Sequence, residues 1–144
     1  MSKIAQTSIA LQEVIKALCG DSLREIDTHP GHWDDSSIRR IVSNPPAVYV
    51  AWLGHMASDV PRVVQARWAI YVVANVLDGE RDDEPGIYQL VETLSAGLHR
   101  RRIEPSGVFE LLSVQNLWSD TQSEMGVAVY GMYFKAPQPN YLDK

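Results

Sequence analysis

The sequence has a single cysteine, Cys19, among 144 residues, which excludes an internal disulfide. No stretch approaches the roughly 20 apolar residues that a membrane-spanning helix requires. Residues 1–18 also lack the basic start and long apolar run of a signal peptide. Positive charge is scarce, since the net charge is −5 whereas general nucleic-acid binders are usually basic. We therefore expect a protein made in the cytoplasm, with no membrane partner and no sequence-specific nucleic-acid partner.

Recognisable catalytic and cofactor motifs are also absent from the sequence. It contains no G-x-S-x-G, P-loop, G-x-G-x-x-G or Cys-x-x-Cys pattern, so we expect no enzyme activity, no catalytic residue and no cofactor. The best local metal candidate is His29-x-x-His32, with Asp34 and Asp35 close by, because imidazole and carboxylate groups bind zinc. A Pro-Gly turn between the histidines favours a loop with surface histidines. A metal-dependent hydrolase that uses His29 and His32 is the alternative from another class.

The longest regular pattern is a strand over residues 60–76, VPRVVQARWAIYVVANV. Read with a period of two, one face is wholly apolar and the other is mixed, as in a strand with one face on a core. The many β-branched and aromatic residues favour the same interpretation. The apolar face consists of Val64, Ala66, Trp68, Ile70, Val72, Ala74 and Val76. We expect this strand to be central in the sheet.

The remaining patterns predict an α+β fold. Helical periodicity indicates helices over residues 3–18 and about 85–99, and Asp35, Ser36 or Ser37 is expected to cap a short helix between them. Further strands are predicted over residues 47–53, 107–118 and 125–135. The simplest assembly is a sheet of about four strands, mainly antiparallel, with helices packed on one face. Residues 1–135 are expected to form a single domain, and residues 136–144 a C-terminal tail.

Four of these segments together resemble a known family. PPAVYVAWLG, ARWAIYVVAN, GIYQLVETLSAGL and VAVYGMYF follow one another as in the small tail proteins of Mu-like phages and prophages, the family named for the Mu gene 37 product. The resemblance spans residues 45–135. The single positions that carry it are Pro46, Gly54, Trp68, Gly86 and Tyr88.

The resemblance implies a structural role. Members of this family look like tail terminators, so the chain would form a ring, expected to be hexameric, that caps the tail tube and sheath of a contractile tail, stops polymerisation and joins the tail to the neck. Its partners would be further copies of itself, the tail tube protein, the tail sheath protein and a neck or head-completion protein. It would be assembled in the bacterial host cytoplasm and end in the virion, at the tail–neck junction. Another head–tail connector, neck or baseplate component is the alternative within the same particle.

A closed ring needs two different complementary surfaces on every subunit. The sequence separates an acidic segment, residues 78–84, from two basic clusters, and aromatic residues at loop edges often anchor interfaces. The acidic segment lacks the ligand order of an EF-hand, which favours a solvated or interfacial loop over a calcium site. The expected interface residues are Arg39, Arg40, Asp78, Glu80, Arg81, Asp82, Asp83, Arg100, Arg101, Arg102, Trp118 and Tyr141.

Overall fold

The computed structural model of the chain describes residues 1–29, 31, 34–57, 64–76, 86–120 and 126–138. Within these ranges the helices are α1 (Lys3–Cys19), α2 (Asp35–Ile41) and α3 (Ile87–Leu98), and a short 3-10 turn, Gly20–Ser22, follows α1. The strands are β1 (Glu25–Thr28), β2 (Ala47–Ala57), β3 (Val64–Asn75), β4 (Arg102–Ile103), β5 (Gly107–Val108), β6 (Glu110–Ser119) and β7 (Val127–Gln138).

One mixed sheet organises the fold, with the strand order β1-β2-β3-β7-β6. The first strand runs parallel to β2, and the other neighbouring pairs are antiparallel. A separate two-stranded ribbon pairs β4 with β5. The predicted α+β class and mainly antiparallel sheet are confirmed. The additional strand is β1, whose four residues are too few to display a period-two pattern.

The central strand β3 buries both of its faces. The predicted apolar face is confirmed, because Ala66, Trp68, Ile70, Val72 and Ala74 belong to the larger core cluster. The centre of the mixed face is buried as well: Ala69 and Val73 have no exposed surface and Tyr71 is 2% exposed. Among the residues of this face from Gln65 to Asn75, which the structure describes, Arg67 alone is exposed. Residues 60–63 of the predicted strand lie outside the described residues.

The two long helices cover one face of the sheet. Helix α1 begins at the N-cap Ser2, whose hydroxyl accepts a hydrogen bond from the Ala5 amide at 3.0 Å. Leu11 and Ile15 of α1 are fully buried in the larger core cluster. Helix α3 contributes the predicted apolar stripe to the same cluster, with Ile87, Leu90, Leu94 and Leu98. No helix in the described part of the chain has the length and apolar content needed to cross a membrane.

The short helix α2 packs on the opposite face, through fully buried Ile41. Its N-cap is Asp34, not one of the three residues that follow it. The Asp34 carboxylate accepts from the Ser37 amide at 2.8 Å, and the Ser37 hydroxyl accepts from the Asp34 amide at 2.9 Å. This reciprocal capping box satisfies two amides that a cap further along the chain would leave unpaired. Helices therefore lie on both faces of the sheet, with the long pair on one.

Two strands are longer than the sequence predicts. Strand β2 continues to Ala57, because a bulge at Leu53 lets pairing with β3 resume at Gly54. Strand β7 continues to Gln138, and the intervening Ala136 is buried in the larger core cluster. Pro137 is tolerated near this end of β7, because the pairing with β6 stops at Lys135, opposite Glu110, so β6 requires no amide from Pro137. Residues 136–138 of the predicted tail therefore belong to β7. Residues 139–144 lie outside the described residues, and their assignment to a tail stays a prediction.

Candidate interaction surfaces

The first predicted basic pair, Arg39 and Arg40, lies exposed in the last turn of α2, next to the edge strand β1. The guanidinium Nη2 of Arg40 lies 3.6 Å from the Asp27 Oδ2 of β1. Their side chains are 64% and 47% exposed, so this ion pair contributes at most about 1 kcal/mol. Arg40 therefore retains charge that a partner can contact.

A buried phenol anchors the same edge of the sheet. The Tyr49 hydroxyl donates a hydrogen bond of 2.9 Å to the Glu25 Oε2 of β1. Burial raises the pKa of the Tyr49 phenol, and the hydrogen bond to Glu25 raises it further. The neutral phenol thus holds the Glu25 side chain on the α2 face of β1. Together, Glu25, Asp27 and Arg40 form an ordered charged strip along this edge.

The second basic cluster, Arg100–Arg102, follows α3 and is exposed throughout. Arg100 adopts a left-handed backbone, with φ of 64°, and its amide donates to the Phe109 carbonyl at 2.7 Å. Arg101 reaches the Gly97 carbonyl of α3 only at 3.5 Å, and Arg102 reaches Glu104 at the same distance. Cations are favoured at a helix C-terminus, and these long contacts leave the guanidinium groups in solvent. Clusters Arg39–Arg40 and Arg100–Arg102 lie on opposite faces of the sheet, beside α2 and after α3 respectively.

Of the other predicted residues, Trp118 is half-buried on β6, opposite Val129, and packs against the smaller core cluster under α2. Trp118 therefore contributes to the core, and the exposed part of its side chain is accessible to a partner. Residues Asp78, Glu80, Arg81, Asp82, Asp83 and Tyr141 lie outside the described residues.

The first histidine of the predicted His29-x-x-His32 segment is buried, whereas the sequence predicts a loop with surface histidines. His29 is only 6% exposed, and its ring packs edge-on against Tyr71 at a centroid distance of 5.1 Å. Its Nδ1 accepts a hydrogen bond of 2.9 Å from the Gly31 amide, which closes the turn after β1. The surface expectation was wrong for His29, because β1 carries the residue onto the sheet. His32 lies outside the described residues, and within those ranges no three His, Cys, Asp or Glu side chains form a metal-binding group.

The positions that carry the family resemblance are mostly structural. Trp68 is in the core, Pro46 is buried, Gly86 is the N-cap of α3, and Gly54 has a positive φ of 113° at the β2 bulge. Tyr88 is the exception, because 52% of it is exposed. Its ring stands edge-on to Tyr130, with centroids 6.4 Å apart.

One edge of the sheet carries a groove that the sequence did not reveal. The groove lies between α1 and β1 and has a volume of about 390 Å³. The groove is lined by the apolar residues Ile9, Leu23 and Ile26, by Gln12, and by the charged residues Glu13, Lys16, Arg24 and Glu25. The Glu25 carboxylate itself is bound to Tyr49 on the other face of the sheet. Ile9 is 43% exposed although it lies on a helix that packs on the core. No linear pattern could have identified the groove, because its two walls become adjacent only when β1 joins the sheet.

The opposite edge is formed by β6, in which none of the ten residues is fully buried. Two irregularities interrupt its pairing with β7, between Leu111 and Ser113 and between Asn116 and Trp118. The longest uninterrupted part of this pairing is therefore residues 113–116. Val114, in the middle of this part, is 36% exposed.

Comparison with known proteins gives consistent matches over nearly the whole chain. The family model described as "Bacteriophage Mu, Gp37" matches residues 3–139. A Haemophilus influenzae protein, "Mu-like prophage FluMu protein gp37", is 69% identical over 139 residues, which are 96% of this chain and 72% of that protein. A protein of Escherichia phage Mu, named "Probable tail terminator protein", is 36% identical over 142 residues, which are 97% of this chain and 78% of that protein.

Proposed function

Since the chain belongs to the bacteriophage Mu Gp37 family, we propose that it is the tail terminator of a contractile-tailed, Mu-like phage or prophage. The observation that carries this proposal is its similarity to the phage Mu protein of that name, which extends over 97% of this chain. In the proposed role, copies of the chain form a ring, expected to contain six subunits. The ring caps the last ring of the tail tube and stops its polymerisation.

The proposed role is mechanical and needs no catalytic residue. It needs surfaces toward four partners: a second copy of the chain, the tail tube protein, the tail sheath protein and a neck or head-completion protein. The two sides of a subunit must differ, because a ring is closed by head-to-tail contacts. A sheet with two unlike edges, a grooved one at β1 and an uncovered one at β6, is compatible with that requirement.

The test of the role is the growth of tail tubes. Purified tube protein is allowed to polymerise with and without this chain, and tube lengths are measured by negative-stain electron microscopy. A terminator added in excess over tube ends should arrest elongation and leave extra density at one end of each tube. Tubes that lengthen equally with and without the chain, and carry no cap, would refute the proposal.

We also propose that the exposed Arg100–Arg102 cluster contacts acidic groups on the neighbouring ring. Its contacts within the chain are long, so the charges can be neutralised by a partner at little internal cost. The double variant Arg101→Glu, Arg102→Glu should weaken the capping of tubes by at least tenfold in the concentration required. Lys3→Glu is the matched control, because it reverses an exposed charge in the first turn of α1, where acids are favoured. Equal capping by the double variant and the control would contradict this contact.

A further inference from the structure

The two edges of the sheet carry different features on the same face. Val114 of β6 pairs with Met132 of β7, which pairs with Ile70 of β3, so Val114 lies on the face covered by α1 and α3. Ile26 of β1 pairs with Val48 in the same core cluster, so the groove beside β1 opens on that face too. An exposed apolar side chain at one edge thus faces in the same direction as a groove at the other edge that contains Ile9, Leu23 and Ile26.

The lengths of the two edges also correspond. Strand β1 has four residues, Glu25–Thr28, and the regular part of β6 between its irregularities has four, Ser113–Asn116. Bulges restrict the pairing that an edge strand can offer, which is one way proteins avoid unspecific aggregation. The four β6 residues carry no charge, so they would not repel the acids Glu25 and Asp27 of β1.

We propose that β6 of one copy of the chain packs against β1 of the next copy, with Val114 inserted into the groove between α1 and β1. This inference rests on the proposed function, because it specifies how neighbours in the ring meet. The direction of pairing follows from the topology: three antiparallel steps separate β2 from β6, and β1 is parallel to β2. Within one subunit β6 is therefore antiparallel to β1. When neighbouring copies continue one sheet in the same sense, β6 of one copy also lies antiparallel to β1 of the next.

Engineered disulfides test this contact directly. In a Cys19→Ala background, Asp27→Cys is combined with either Ser113→Cys or Gln115→Cys, which lie on the same α2 face as Asp27. Directly opposed residues on antiparallel strands have Cβ atoms about 4.5–5.5 Å apart, close to the separation in a disulfide. The control pair is Asp27→Cys with Glu92→Cys, since Glu92 is exposed on α3 and belongs to neither edge strand.

The proteins are oxidised alone and in the presence of tail tubes, and are then separated on a non-reducing denaturing gel. At least one test pair should give a ladder of covalent oligomers that ends at the copy number of the ring. The control pair and each single cysteine variant should give no species beyond a dimer. Electron microscopy of the same samples records rings and capped tubes.

The outcomes separate the two proposals. Rings or capped tubes without a ladder for either test pair would overturn the β6–β1 contact and leave the terminator role standing. Absence of rings and caps in every sample would overturn the terminator role and this contact with it. A ladder together with rings or caps supports both.

A substitution at Val114 gives a second measurement. Val114→Asp replaces the apolar side chain that would contact Ile9, Leu23 and Ile26 by a charged one, and should shift the mass of the assembled protein, measured by light scattering, to that of a monomer. Met56→Asp is the control, because Met56 is 59% exposed and lies near the end of β2, beyond the residues Ala47–Val50 that pair with β1. Assembly of Val114→Asp equal to that of the control would overturn the inference. The cysteine pairs leave Val114 unchanged, so they test the contact even if Val114→Asp unfolds.

Discussion

The contact between Gly97 of α3 and Leu18 of α1 gives a sharp test of the helix packing. A Cβ added at Gly97 would lie 2.5 and 2.6 Å from the two terminal carbons of Leu18, far inside van der Waals contact. Leu18 packs against the larger core cluster, so it cannot move away without losing contacts of its own. Gly97→Ala therefore adds a methyl group where the two long helices meet.

Two effects of opposite sign determine the result of this substitution. Alanine is about 1 kcal/mol more favourable than glycine within a helix, whereas overpacking a core typically costs about 1–3 kcal/mol. Gly97→Ala should therefore lower the free energy of unfolding by about 0–2 kcal/mol in the wild-type background. In a Leu18→Ala background the obstructing atoms are gone, and the same change should raise it by about 1 kcal/mol. The expected coupling between the two positions is about 1–3 kcal/mol.

Urea denaturation of the wild type, the two single variants and the double variant measures this coupling. Circular dichroism at 222 nm follows the helices, and the slope of each transition shows whether unfolding stays two-state. Effects of Gly97→Ala that agree within about 0.5 kcal/mol in the two backgrounds would refute the proposed contact. The presence of glycine at position 97 would then have another structural explanation.

Three further predictions concern single residues. Arg100→Gly should raise the free energy of unfolding by about 0.5–1 kcal/mol in urea, because a φ of 64° is strained for any residue with a Cβ; a loss of stability would contradict this. Tyr49→Phe should lower stability at pH 7 by about 1–3 kcal/mol through loss of the bond to Glu25. The pKa of Tyr49 is raised in the folded state, so the phenol of the unfolded chain loses its proton first as the pH rises. The free energy of unfolding of the wild type should therefore fall above about pH 10, and Tyr49→Phe should make this fall less steep. Identical pH profiles of the two proteins would contradict the prediction. Burial raises the pKa of Cys19 to about 11, so at pH 8 a disulfide reagent should label the folded protein at least tenfold more slowly than the urea-unfolded protein; equal rates would exclude a protected thiol.

The core of the fold could be predicted because it depends on long periodic patterns. The alternation from Ala66 to Ala74 identified the central strand and its buried face, and the helical spacing from Ile87 to Leu98 identified α3. The local sequence pattern did not predict the features that depend on contacts between residues distant in the chain. The α2 face of β3 reads as mixed, yet Tyr71 is buried there because α2 and His29 fold over it. Likewise, β1 is a strand because β2 offers it a partner.

The candidate surfaces could be predicted only as charges. Charge clusters are visible in a sequence, and Arg39, Arg40 and Arg100–Arg102 are indeed exposed. The groove and the β6 edge are not visible, since exposure of an apolar residue depends on which elements cover it. Ile9 and Val114 have the same chemistry as core residues. Their position at the borders of the sheet distinguishes them, and that position is a property of topology.

The two different edges of the sheet favour head-to-tail assembly of this chain over a symmetric dimer. An isologous dimer joined through two β6 strands would leave both grooves beside β1 uncovered, with Ile9 exposed in each. A β6–β1 contact uses one edge of each kind, so every added copy covers a groove and presents another until the last meets the first. Adjacent strands in a sheet are rotated by about 20–25°, so the two edges of a five-stranded sheet point in clearly different directions. Under the proposed contact each added copy is rotated relative to the one before it, and the assembly closes into a ring only when these rotations add up to a full turn.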